Sequence, residues 1–221
     1  MKYLGISEGF HDAAVAHMED DKILFATQAE RYSRVKNDKH LPIEFKKLEC
    51  NQSFFYEDTE LKNARRISSG MKPTDNGKFI SNHVRHHESH MAAAYYTAPF
   101  VPDVTVVIDA IGEWDTASIW VDHEKVWSRQ YPWSLGLFYS AMTKAIGLKP
   151  MEDEYITMGL AGFTDESFDI NPMNNYHKGV NLSGYSKEVI ANTAQMNLEF
   201  ELIKIMNSRA CILSLNIKRL C

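Results

Sequence analysis

The chain has 221 residues, 44% of them hydrophobic and 24% charged, and a formal net charge of −5 at pH 7. That suits a globular chain forming one large domain or one lobe of a two-lobed enzyme, and it excludes the basic footprint of a nucleic-acid binder. No apolar run approaches the roughly 18–20 residues that cross a bilayer. Met1–Ile6, a strand-length run followed at once by polar residues, does not read as a secretory leader, and three cysteines without CxxC spacing fit a reducing cytoplasm.

Three strand-like runs open the chain: Lys2–Ser7, Ala13–His17 and Lys22–Gln28. They predict a β-meander whose first turn holds Gly9-Phe10-His11-Asp12. The polar stretch Glu30–Asn76 predicts one helix after Pro42 and a loop at Ser68–Gly77. Its basic cluster, Lys62, Arg65 and Arg66, reads as a solvated face. Lys78–Val84 reads as a strand leading into His86-His87-Glu88-Ser89-His90. The helix formers that follow, Met91–Tyr96, make those histidines the opening of a helix that ends before Pro99. Val104–Asp109 has the near-continuous apolar, β-branched character of a doubly buried strand. Ala117–Val121 and Glu124–Trp127 predict a hairpin, and Ser134–Ile146 and Glu152–Ala161 two helices. Ile190, Ala194, Leu198 and Leu202, four residues apart, mark a long amphipathic helix. Cys211–Leu215 is a last candidate strand. This order argues for an α/β layered domain.

The sharpest chemical signal is His86-x-x-x-His90. Residues i and i+4 share a helix face, so both imidazoles can reach one ion, although packed or solvated histidines have the same spacing. A zinc-protease motif needs glutamate directly after the first histidine, whereas Glu88 sits two residues before His90. His87 points about 100° away from the pair, toward a substrate or into packing. Asp109 ends a buried-type strand, where α/β folds place ligands, or it caps a helix or turn. Two imidazoles and a carboxylate suit iron, manganese or zinc better than calcium or magnesium. His11 and Asp12 lie in a glycine-bearing turn suited to an anion. Arg31, Arg34 and Lys36 form either a phosphate grip or an ordinary charged loop.

In order, these pieces resemble the NodU/CmcH-type carbamoyltransferases, whose N-terminal domain is similar to the tRNA threonylcarbamoyladenosine synthase. The resemblance is carried by Leu4–Ser7 with His11–Ala14, Ala29–Lys36, His86–Tyr96, Val107–Trp114, Ser134–Ser140 and Glu154–Ala161. It implies an actin-like, sugar-kinase-like α/β fold built on RNase-H-type units. It implies a divalent metal, iron in this family, on His86, His90 and Asp109, with a further aspartate from a second lobe. It casts His11 and Asp12 as catalytic and Lys36, Arg31 and Glu113 as substrate-binding. Carbamoyl phosphate and ATP would form carbamoyl-adenylate in a separate YrdC-like domain, and the carbamoyl group would pass to a hydroxyl or amine of a small-molecule acceptor. The implied setting is cytoplasmic, with no nucleic acid and no membrane partner.

The chain departs from the family at Ala110, at Asn37 and across residues 153–164. Family members are also more than twice as long. Residues 1–184 therefore read as the N-terminal lobe and 185–221 as the beginning of a second lobe, without the glycine-rich nucleotide segment or the fourth metal ligand. On this reading the chain needs a complementary polypeptide, or it is an inactive remnant that binds a metal or a partner chain.

Overall fold

The computed structural model describes residues 1–172, 174–212 and 220–221. Its contacts divide into two compact units, residues 1–90 with 112–114, and residues 91–111 with 115–221. This division differs from the sequence-based one at 184/185, because the C-terminal helix packs within the second unit.

The first unit carries β1 (Lys2–Ser7), β2 (Ala14–Glu19), β3 (Lys22–Gln28), the single-turn helices α1 (Glu30–Ser33) and α2 (Ile43–Lys46), β4 (Gln52–Phe55), α3 (Thr59–Ser68) and β5 (Asn82–His83). The sheet order is β3-β2-β1-β4-β5. The meander β1–β3 is antiparallel, whereas β4 and β5 add in parallel. Alternation along β1 sends Leu4 and Ile6 inward, where they join Val15, Leu41 and Phe55. Truncating a fully buried phenylalanine such as Phe55 to alanine costs about 3–5 kcal/mol.

Three elements here escape the sequence reading, the single-turn α1 among them. β4 is short and half polar, and α3 opens on Asp58, whose side chain accepts from the N–H groups of Glu60 and Leu61. The basic cluster is not a solvated face. Lys62 and Arg65 are buried, and the Lys62 ammonium lies 2.5 Å from the buried Glu57 carboxylate, which makes burial of the pair tolerable. The strand expected at Lys78–Val84 shrinks to Asn82–His83. Residues 77–80 are spent on a turn in which Ile80 N–H donates to Gly77 O.

Helix α4 (His86–Thr97) is continuous. Next come the antiparallel β6 (Thr105–Ile108), β7 (Asp115–Val121) and β8 (Glu124–Gln130), then α5 (Leu135–Ala145), α6 (Glu154–Ala161) and α7 (Lys187–Ile212). Val104 bridges Leu220 in parallel, and Cys221 N–H donates to Val104 O at 2.9 Å. The second unit thus repeats the first unit's strand plan, an antiparallel meander with a parallel neighbour on its first strand. The strand expected at Cys211–Leu215 is overtaken by α7 as far as Ile212, and residues 213–219 lie outside the described residues. Along α7 the expected stripe is inward: Ile190 and Ala194 are buried, and Leu198 packs with them beneath α5. No helix among the described residues is long and apolar enough to cross a membrane.

Candidate functional site

α4 opens the histidine cluster. Its first turn presents His86 half-buried and His90 exposed, with His87 buried at 2% exposure. His87 therefore belongs to the packing. One helical turn brings His86 Nε2 and His90 Nε2 to 3.1 Å, with Tyr56 edge-on to the His86 ring. Two donors each about 2.0–2.1 Å from one ion are separated by about this distance, so the pair fits a metal. The same spacing serves a single shared proton.

Asp109 follows β6 directly, and its N–H donates to Thr116 O at 3.0 Å, which extends the ladder with the start of β7. Its Oδ1 accepts from Ala110 N–H at 2.6 Å. The loop is pinned from α5: Ser134 Oγ donates to Ala110 O at 2.5 Å and also accepts the N–H of Leu137 as the helix cap. Gly136 is required here, because a Cβ would stand 2.6 Å from Ala110 Cα. His86 and His90 belong to the first unit and Asp109 to the second. The two histidines ride on α4, and Asp109 sits directly after β6. Met91, next to His90, packs with Val107, two residues before Asp109, and with Trp120.

Glu113, expected to bind substrate, is 5% exposed. Its Oε1 accepts from the backbone N–H of His86 at 2.8 Å and of Asp58 at 2.7 Å. A carboxylate at the start of two helices also offsets the positive ends of their dipoles. Gly112, beside it, leaves room for the histidines: a Cβ there would meet His86 Cβ and His87 Cδ2 at 3.1 Å. The sequence reading missed this role, since nothing local in Gly112-Glu113-Trp114 points to a helix start 27 residues earlier.

In the first turn of the meander His11 Nδ1 lies 2.7 Å from Asp12 Oδ2, and both residues are partly exposed. Their turn is stitched to the segment after β3: Gly9 N–H donates to Lys39 O and Ala13 N–H to Asp38 O. A hydrogen bond from the Ser33 hydroxyl, then one from His40 N–H, holds the Asp38 carboxyl below its ordinary range. That segment carries Arg31 and Lys36, both exposed; Arg31 lies 3.6 Å from Glu30. Asn37, a departure from the family pattern, donates its N–H to Glu30 Oε2 at 3.2 Å.

The repeated strand plan defines an actin-like ATPase-type fold. Solved structures with this fold include component A of (R)-2-hydroxyglutaryl-CoA dehydratase from Acidaminococcus fermentans, 13% identical with a TM-score of 0.58, over 100% of this chain and 81% of that one. The activator of 2-hydroxyisocaproyl-CoA dehydratase from Clostridium difficile, with bound ADPNP, is 11% identical with a TM-score of 0.54, over 94% and 76%. Residues 47–210 match the family described as carbamoyltransferase N-terminus, and the chain belongs to that family. Relatives include sll1178 of Synechocystis sp., 29% identical over 75% of this chain and 35% of its own length. MJ1051 of Methanocaldococcus jannaschii is 30% identical over 76% and 34%. The chain thus spans about a third of the length of the curated relatives it matches.

Proposed function

We propose that this chain is the metal-bearing N-terminal part of a carbamoyltransferase that moves a carbamoyl group from carbamoyl phosphate, through carbamoyl-adenylate, to a hydroxyl or amine of a small acceptor. Family membership supports carbamoyl transfer in general. The observation that carries the finer reading is the pairing of His86 and His90, their Nε2 atoms 3.1 Å apart, in a chain of this family. These three residues would hold a divalent ion, iron by resemblance, which supplies Lewis-acid polarisation of an acyl or phosphoryl oxygen.

The protein's own groups do the rest. His11, its Nδ1 tied to Asp12, keeps its ring oriented with Nε2 to exchange a proton with a phosphate oxygen or the attacking acceptor. Lys36 and Arg31 bring positive charge to the segment stitched to that turn, which suits a phosphate-bearing donor. In this reading adenylate formation belongs to a YrdC-like portion of the enzyme, with ATP as its co-substrate. The alternative is a chain that binds a metal or a partner chain without turnover, and the same experiment separates the two. Metal analysis of the purified chain is paired with carbamoyl phosphate-dependent ATP/pyrophosphate exchange, measured alone and with a polypeptide supplying the YrdC-like portion. The expected outcome is bound metal, no exchange by the chain alone, and carbamoyl transfer only in the mixture. Strong exchange by the chain alone defeats the division of labour, and no transfer in a metal-loaded mixture favours the alternative.

A further inference from the structure

We infer that Glu113 is a positioning residue that sets the orientation of the histidine pair without touching substrate. The inference rests on the reading that His86 and His90 hold a metal. His86 is the first residue of α4, and the opening N–H groups of a helix have no partner within it. Glu113 Oε1 takes the His86 N–H at 2.8 Å and, with the same atom, the N–H of Asp58 at 2.7 Å. Asp58 is itself the cap of α3. One buried oxygen therefore fastens two helix starts. Gly112 lies against the His86 side chain at a separation a methyl group would strain, so residues 112 and 113 hold the first turn of α4 through both its backbone and its imidazole. A group 5% exposed with an oxygen so engaged is placed for holding rather than for contact with a diffusing substrate.

What matters on this account is the reach of the acceptor oxygen more than its charge. Glu113→Gln keeps that oxygen in place, whereas Glu113→Asp keeps the charge but falls one methylene short. Partners that orient metal ligands typically contribute about 10–100-fold in metal affinity.

The probe is cobalt(II), titrated into the 221-residue chain and followed by its visible absorption band. Glu113→Gln is expected to bind within about threefold of the unaltered protein and with an unchanged band. Glu113→Asp and Glu113→Ala are expected to bind about 10–100-fold more weakly, with a shifted band. The band reports ligand geometry, which a loss of stability alone would not move. Should Glu113→Ala fail to fold, the Gln and Asp pair decides: Asp binding better than Gln overturns the proposal. Cobalt uptake that is lost in His86→Ala yet unchanged in Glu113→Asp sinks the positioning role and leaves the metal reading standing. No cobalt uptake by the unaltered chain removes both.

Discussion

Tyr139 shows how a single hydroxyl couples this fold to pH. It is buried beneath α7, donates to Gln195 Oε1 at 2.9 Å, and has its pKa pushed up to about 12 by burial first and then by Glu154 and Glu199. The unfolded chain releases that proton near pH 10, so its contribution to stability is complete below pH 10 and is lost as pH rises toward 12. Denaturant melts at pH 9 and 11 should show a fall in stability that Tyr139→Phe reduces. An equal fall in the variant would place the effect elsewhere. At this scale the sequence was partly legible. The spacing of His86 and His90 foretold their meeting, because helical periodicity is local. Glu113 and the Lys62–Glu57 pair were opaque, since burial of a charged side chain depends on what faces it across the fold.

Among elements, α5 depends most on its entry. Ser134 caps it and holds the Asp109–Ala110 loop with the same hydroxyl, while Gly136 lets that loop lie against the helix. Ser134→Ala removes the cap and is expected to cost about 1 kcal/mol. Gly136→Ala forces a methyl group into the Ala110 backbone and should cost more; on the proposed metal reading it should also weaken uptake, because Asp109 lies on that loop. Thermal melts and metal titrations of the two variants check this ordering, and an unperturbed Gly136→Ala protein would refute the packing. Where hydrophobic rhythm was strong, as in α7 or β1–β3, the sequence announced the element. β4 and α3 were hidden, one by polar residues in a four-residue strand and the other by charges that turn inward.

For the whole molecule, order and type of elements were enough to reach the α/β class, and the ordered motifs reached the family. What they could not give is the division into units, because the boundary falls inside α4, between His90 and Met91, where the residue pattern of a helix runs on unbroken. The placement of Asp109 was legible only in outline: a strand end was evident, but the Ser134 and Gly136 supports come from a separate helix.

The packing of Trp120 against Met91, the neighbour of His90, gives the protein a built-in optical gauge. A paramagnetic ion captured at the turn before Met91 should dim the indole's emission. Replacing Trp120 with phenylalanine should abolish most of that quenching while leaving uptake intact, so occupancy becomes readable in a cuvette without any added dye. Equal quenching in the variant would point to another of the chain's four indoles as the light source.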